Sequence, residues 1–212
     1  MSLIQRGIKI NAIIDNREQI DSKISYEVEK NNIKIYKGYT VVDTYGYRRI
    51  TKISIMKLSK DGQTVIGDKT KLNCDCLGVS GGWTPAVHLF TQSGGKLKFR
   101  EEDQVFIPDV YPSDQISIGS CNGDFSLEEI VKNTLFSVKN FLNTENSEYK
   151  TIEIISGLNQ SKRNIWLLPS DKSIGKTKSF VDYQNDATSK DIKLALREGF
   201  RSIEHVKRYT TT

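Results

Sequence analysis

The chain has 212 residues, of which 37% are hydrophobic and 27% charged. This composition is typical of a globular protein, and no run approaches the roughly 20 apolar residues that span a bilayer. The formal net charge of +5 comes from 31 Lys and Arg against 26 Asp and Glu. Because basic residues are scattered among acidic ones, a solvated surface is favoured over a nucleic-acid patch, and we expect neither nucleic acid nor a membrane as a partner.

Three cysteines and two histidines limit the possible metal and redox chemistry. An odd cysteine count without a signal peptide predicts a reducing, cytoplasmic location and no disulfide framework. Cys74 and Cys76 lie two apart in an apolar run, so we expect them to share one face of a strand as buried thiols. With Cys121, His88 and His205 they lack the spacing of a tetrahedral site, and we predict no bound metal.

The chain begins with the pattern of half an α/β unit. Residues 8–14 form a short apolar run, residues 25–30 are helical in pattern, and residues 33–36 begin a second strand. Asp15 closes the first strand, where an acidic residue of a dinucleotide-binding βαβ unit hydrogen-bonds a ribose hydroxyl. The glycine-rich turn that should precede it is absent, so a plain strand-ending Asp is at least as good an interpretation.

A β-meander follows this unit. Residues 40–45 and 50–58 are β-rich, and Asp61-Gly62 favours a tight hairpin turn. We therefore predict that residues 1–71 form a partial nucleotide-binding domain and that residues 72–145 form a second part of the α/β module.

A glycine-containing turn follows the next predicted strand. Residues 72–79 indicate a strand that leads directly into Ser80, Gly81, Gly82 and Trp83. Paired glycines let the backbone turn sharply and approach a ligand closely. A structural turn and a cofactor loop explain this pattern equally well.

A second loop lies between a predicted strand, residues 116–118, and a periodic helix that starts at Leu127. Free N–H groups and the positive helix end there suit a phosphate, a flavin or nicotinamide ring, or a carbonyl oxygen. The alternative is a helix capped by Ser126 and Glu129, which does not exclude a ligand. The candidate residues in this loop are Gly119, Ser120, Asn122, Gly123, Phe125 and Ser126, with Leu127 behind them.

The last segment, residues 146–212, is predicted to be a linker followed by helices. Thr188 and Asp191 have the spacing of a helix N-cap and its N3 residue, and Gly199 closes that helix. A second amphipathic helix covers residues 202–208, with Ile203 and Val206 expected to face inward. The outline is that of a helix-turn-helix, but packing is favoured over DNA binding because the second helix is short.

Three stretches resemble one enzyme family, in the same order and at matching spacing. They are similar to segments of the alpha subunit of heterotetrameric sarcosine oxidase. We therefore expect an internal fragment of such a subunit, cut at both ends, that covers only its middle part. The matching stretches are residues 74–89 with 92–95, residues 119–126, and residues 180–186 with 197–199 and 202–211.

The resemblance implies a fold and an activity. The fold would be a partial FAD/NAD(P)-binding module, like that of pyridine-nucleotide-disulfide oxidoreductases, followed by a small helical segment. The intact alpha subunit would hold a non-redox NAD and, in a C-terminal domain, tetrahydrofolate. The partners would be beta, gamma and delta subunits, with FAD in the beta subunit and FMN near the alpha–beta boundary. Sarcosine would yield glycine, methylene-tetrahydrofolate and hydrogen peroxide, and the fragment itself would carry no catalytic residue.

The resemblance also assigns roles to the candidate residues. The turn at residues 80–83 and the loop at residues 119–127 would lie against NAD. Lys207, Arg208, Thr210 and Thr211 form a basic, hydroxyl-rich end suited to the FMN phosphate. The alternative for that end is an exposed, frayed terminus.

One departure separates this chain from iron–sulfur relatives. Those proteins begin a two-iron, two-sulfur domain with a C-x-C pair, which falls here near Asp182 and Gln184. Carboxylate and amide oxygens do not replace thiolates in such a cluster. The alternatives that stay open are a subunit of a related opine, proline or amine oxidase or dehydrogenase, and a stand-alone nucleotide-binding or scaffold module.

Overall fold

The protein is an α/β structure, as predicted. The computed structural model describes residues 2–112, 115–142 and 165–212. The helices are α1 Ser2–Gln5, α2 Ser22–Lys30, α3 His88–Gln92, α4 Leu127–Leu142, α5 Ser189–Arg197 and α6 Ile203–Thr210. The strands are β1 Ala12–Asp15, β2 Lys34–Lys37, β3 Tyr39–Tyr45, β4 Lys52–Leu58, β5 Val65–Asn73, β6 Lys96–Arg100, β7 Val105–Val110, β8 Phe180–Asp182 and β9 Ala187–Thr188.

Two compact units make up the described residues. The first contains the chain up to Glu18, Val28–Leu77 and Ile165–Thr212. The second contains Gln19–Glu27 and the described residues from Gly78 to Leu142. The three-part domain division expected from the sequence stays a prediction.

The expected βαβ unit is present at the start of the chain. β1 and β2 are parallel, with Ala12 opposite Lys34 and Asp15 opposite Lys37. Parallel strands need a crossover connection, and α2 lies within it. The first strand begins at Ala12 rather than at residue 8, because the pairing with β2 covers only four residues.

The expected β-meander is also present, as the antiparallel order β3–β4–β5. Its second turn contains Gly62, whose φ is +73° and whose N–H donates to Ser59 O over 2.9 Å. The Asp-Gly hairpin prediction is therefore confirmed. The central strand β4 is covered on both faces, since Ile53, Ser54, Ile55 and Met56 are all buried in succession.

The second unit is built on a hairpin that the sequence analysis did not predict. β6 and β7 pair antiparallel, and Val105 and Ile107 of β7 are buried. Phe90 of α3 is buried too and contacts the Tyr111 ring edge-to-face at 5.0 Å between centroids. Along β6, Lys96, Lys98 and Arg100 alternate with Leu97 and Phe99, which is the pattern of a half-buried strand.

Two predicted strands in this part of the chain are wrong. The strand expected at residues 72–79 ends at Asn73, because β5 runs out of partner residues where β4 begins at Lys52. One further bond joins Cys74 N to Thr51 O, and the chain then leaves the sheet. Residues 116–118 are irregular, although Ile116 and Ile118 are apolar and β-branched.

The C-terminal segment contains the predicted pair of helices. The Asp191 carboxylate accepts both the N–H of Thr188, at 2.8 Å, and its hydroxyl, at 2.6 Å, which confirms the expected start of α5. Gly199 follows α5 with φ +95°. In α6, Val206 is buried as expected, but Ile203 is 77% exposed, so its predicted inward orientation is wrong.

The expected linker lies partly outside the described residues, because residues 143–164 are not described. Within the described ranges, no helix combines the length and the apolar character needed to cross a membrane.

Candidate functional site

Asp15 lies at the carboxyl end of β1, as predicted, and is paired with Arg17. Arg17 Nε lies 2.9 Å from Asp15 Oδ1, and Arg17 Nη2 lies 2.6 Å from Oδ2. Burial alone would raise the pKa of Asp15, but the hydrogen bonds and charge of Arg17 outweigh it and hold the pKa below its usual value. Both carboxylate oxygens are thus engaged, and a ribose hydroxyl would have to share them with the guanidinium.

Backbone contacts fix the loop that carries this pair. The Arg17 carbonyl accepts the Gly38 N–H over 2.9 Å, which joins the loops that follow β1 and β2. Gly38 has φ +71°, and a Cβ there would lie 3.1 Å from Glu18 Cγ. Glycine is therefore favoured at this position, both for its dihedral and for the close approach of Glu18.

The candidate residues Ser80, Gly81, Gly82 and Trp83 form an exposed, irregular segment. Trp83 is 76% exposed and Gly82 has φ +110°. These four residues have no hydrogen-bond partner within the described parts of the chain. The prediction of a tight turn directly after a strand is wrong, because the preceding strand already ends at Asn73. Their backbone N–H groups are nonetheless accessible to a ligand or partner.

The cysteines next to this segment correct another expectation. Cys76 is exposed and Cys74 is half-buried, so they are not the buried pair of strand thiols that the spacing suggested. Burial, followed by the charges of Asp75 and Cys76, raises the pKa of the Cys74 thiol. Cys121 is half-buried and donates to Ile118 O.

The second candidate loop is held in place by Gly123. Residues Gly119–Asn122 form a 3-10 turn that ends at Gly123 with φ +83°. The Gly123 carbonyl accepts a hydrogen bond of 2.9 Å from Arg100 Nη2. A Cβ at Gly123 would lie 2.7 Å from that nitrogen and 2.9 Å from Ile107 Cγ2, so this position requires glycine.

Sequence reasoning missed the residues that position this loop. Arg100 of β6 pairs with Asp103, which is only 4% exposed, and also holds the Gly123 carbonyl. The only sequence signal was a charged residue three positions from an opposite charge, which is too common to be informative. Asp124 was missed as well; its carboxylate accepts Asn133 Nδ2 at 3.1 Å beside the start of α4.

The start of α4 offers donors but not a positive environment. Ser126 O accepts the Ile130 N–H over 2.9 Å, which places Ser126 at the N-cap position as predicted. The N–H groups of Ser126 and Leu127 have no partner in the described residues. Glu128 and Glu129 follow in the first turn. Because they repel an anion, the loop suits a hydroxyl, a carbonyl or a ring edge better than a phosphate. For the candidate residues of this loop, neutral groups are therefore favoured as ligands over a phosphate. These residues are Gly119, Ser120, Asn122, Gly123, Phe125, Ser126 and Leu127.

The four C-terminal candidates differ in accessibility. Lys207 and Arg208 are exposed in the last turn of α6. Thr210 is buried and its hydroxyl donates to Val206 O over 2.8 Å. Thr211 has φ +60°, and its hydroxyl donates to the Thr210 carbonyl over 2.6 Å. The two cations are therefore available to a ligand, whereas the two hydroxyls already serve the helix end.

The positions of the missing C-x-C pair form a local turn. The Asp182 carboxylate accepts the Gln184 N–H and Asn185 Nδ2, each at 2.8 Å. These hydrogen bonds lower the pKa of Asp182, and the bond from the Gln184 N–H has the largest effect. Asp182 thereby closes the β8–β9 hairpin. In the described ranges, no three His, Cys, Asp or Glu residues are grouped to hold a metal ion.

Comparison with known proteins shows which proteins this chain is similar to. Residues 176–212 match the family described as Sarcosine oxidase A3 domain. Sarcosine oxidase subunit alpha of Corynebacterium sp. (strain P-1) is 29% identical over 208 residues, covering 94% of this chain and 21% of that protein. The chain is similar to sarcosine oxidase alpha subunits. The subunit of Rhizobium meliloti (strain 1021) is 28% identical over 218 residues, covering 97% of this chain and 20% of that protein.

These findings confirm the resemblance inferred from the sequence. The chain spans about one fifth of the length of the sarcosine oxidase subunits that it matches, with 21% covered in the Corynebacterium protein. Its relatives are subunits of an oxidoreductase. Among solved structures, L-proline dehydrogenase from P. horikoshii is similar, with a TM-score of 0.52 at 15% identity. The match covers 95% of this chain and 40% of the dehydrogenase chain. That likeness supports the α/β fold alone.

Proposed function

We propose that this chain is an internal region of the alpha subunit of a sarcosine oxidase, where it helps to bind NAD and docks the flavin-bearing beta subunit. The observation that carries this proposal is the collinear similarity to alpha subunits over 94% of the chain. The match of residues 176–212 to the Sarcosine oxidase A3 domain supports it independently. The gamma and delta subunits complete the proposed complex, which we assign to the cytoplasm.

In this proposal each candidate residue would contact a neutral part of the dinucleotide rather than its phosphates. Asp15, engaged by Arg17, would share its oxygens with a ribose hydroxyl. The free N–H groups of Ser126 and Leu127 would bind a neutral acceptor, with Asp124 beside them. Trp83 offers an accessible aromatic face. NAD would have a non-redox role here, and FAD in the beta subunit would supply the redox chemistry for sarcosine.

Lys207 and Arg208 are the residues that we assign to the FMN phosphate. Both are exposed and neither has an ion-pair partner in the described residues. The carbonyl end of α6 stabilises these cations but opposes an anion, so both charges would be needed. Thr210 would act by shaping the helix end, because its hydroxyl is buried and bonded, and Thr211 would offer its remaining acceptor and backbone N–H.

The reaction of the proposed complex converts sarcosine, oxygen and tetrahydrofolate into glycine, methylene-tetrahydrofolate and hydrogen peroxide. We expect the full-length alpha subunit, produced with its beta, gamma and delta partners, to release hydrogen peroxide when sarcosine is added. The 212-residue chain alone should release none above the blank. Turnover of proline or another amine in place of sarcosine would sink the substrate assignment, and turnover by the chain alone would sink the assignment of chemistry to other subunits.

The FMN assignment has its own test. In the assembled complex, Lys207→Ala with Arg208→Ala should lower the FMN content of the purified protein. The matched control is Lys190→Ala with Lys193→Ala, which removes two exposed charges from α5. Full FMN retention by the first variant, with normal assembly, would show that Lys207 and Arg208 are only solvated surface.

A further inference from the structure

Helix α4 carries an apolar stripe along one side. At about 100° per residue, its seven apolar members fall within an arc of about 140°. The opposite side carries Glu, Lys and Asn, together with one aromatic residue, Phe136. The members of the apolar stripe are Leu127, Ile130, Val131, Leu135, Val138, Phe141 and Leu142.

The stripe is largely uncovered. No residue of this 16-residue helix is buried. Among the described residues, the first turns of the helix lie on neighbouring structure, with Ile130 Cγ2 3.5 Å from where a Cβ of Gly119 would be. Further along, Val138 is 39% exposed, Phe141 71% and Leu142 54%. Globular helices normally bury such a stripe, because apolar contact is their main source of stability.

We infer that the apolar stripe of α4 is the face on which the remaining polypeptide of the full-length alpha subunit packs. This inference rests on the proposed function, since it needs a longer subunit. The related alpha subunits contain most of their polypeptide outside the matched region. In the Corynebacterium protein the match covers only 21% of the length. The stripe contains no charged residue, and such charge-free faces are typical of permanent contacts rather than of transient ones. We assign the occupant to an apolar face of the same polypeptide, because most of the related subunit lies outside the matched region.

Cysteine substitution with maleimide labelling tests this arrangement without requiring activity. Val138→Cys and Phe141→Cys probe the stripe, and Phe136→Cys, 66% exposed on the opposite side, is the matched control. Labelling rates are measured by peptide mass spectrometry in the 212-residue chain and in the full-length subunit. In the short chain all three should react quickly. In the full-length subunit the two stripe cysteines should react at least about tenfold more slowly, a ratio expected for burial, while the control stays fast.

Three outcomes would overturn the inference. The first is equal labelling of all three cysteines in the full-length subunit. The second is slow labelling of the stripe already in the monomeric short chain, which would mean that the chain covers its own helix. The third is slow labelling that follows dimerisation of the short chain in sedimentation experiments, which would make a second copy the occupant. Sarcosine-dependent hydrogen peroxide, assayed on the same full-length preparation, reports separately on the proposed function.

Discussion

The β3–β4–β5 sheet and the segment that follows it differ sharply in the burial of their apolar side chains. Ile55 in the central strand is fully buried, at 0% exposure, and Leu58 is 2% exposed. Only some twenty residues further on, Val79 is 78% exposed and Trp83 76%. In the sheet, β4 is the central strand and its side chains are buried on both faces. In the segment after it, the large apolar side chains of Val79 and Trp83 are both exposed to solvent.

The largest effect should come from the core of the sheet. Replacing Ile55 by Ala removes a fully buried side chain between two flanking strands. We expect a loss of about 2–5 kcal/mol in the free energy of unfolding, measured by urea denaturation. Ile66→Ala, at a position 47% exposed in β5, is the control and should cost much less. Similar losses at the two positions would contradict burial as the source of the stability that Ile55 contributes.

The turn between β3 and β4 should be the next most sensitive site. Gly46 has φ +141°, and a Cβ there would lie 1.8 Å from the Arg49 carbonyl oxygen. Gly46→Ala must therefore rearrange the turn, at a cost of about 1–3 kcal/mol. Gly67→Ala isolates the clash, because Gly67 has φ +75° but nothing within 4 Å of its Cβ position. Equal thermal midpoints for both variants would contradict the steric explanation.

A smaller, pH-dependent effect is expected at the end of β1. Because the folded-state pKa of Asp15 is lowered, its pairing with Arg17 stabilises the fold above the unfolded pKa and is lost as pH falls through the folded value. Asp15→Asn should therefore be less stable than the parent chain near pH 7, and the gap should narrow towards pH 3. Urea midpoints at both pH values measure this. A gap that widens on acidification would contradict the assigned sign.

The smallest effect is expected in the exposed segment. Trp83→Ala should leave the thermal midpoint of the chain almost unchanged, because the side chain is 76% exposed. With Trp166 replaced by Phe, the remaining Trp83 should show solvent-exposed fluorescence that acrylamide quenches readily. A blue-shifted, protected emission from that variant would show that the segment is covered within this chain, and would remove the contrast with the sheet.

Local sequence signals predicted the elements whose causes are local. The Asp61-Gly62 turn, the Thr188–Asp191 cap and Gly199 were all confirmed, since each depends on residues a few positions apart. The predicted strand at residues 72–79 was wrong because a strand needs a partner as well as an apolar run. Nothing in residues 72–79 shows that β4 offers no partner beyond Lys52, where it begins.

The candidate site was predicted less completely. Its glycines were recognisable, and Gly123 proved to require glycine, but for a reason that lies in β6 and β7. Arg100 was missed because its partner, the Gly123 carbonyl, is 23 residues away in the chain. Likewise, the sequence marked Asp15 as a candidate acceptor without indicating that Arg17 engages both of its oxygens.

The sequence by itself determined the α/β class, the order of the first strands and helices, the cap and the closing glycine of α5, and the resemblance to sarcosine oxidase alpha subunits. These follow from periodicity, capping residues and collinear motifs, which are all read along the chain. Only the tertiary structure decided which strands find partners, which charges neutralise each other and which apolar faces stay uncovered. Those properties depend on contacts between residues far apart in sequence, and burial exists only once such contacts have formed.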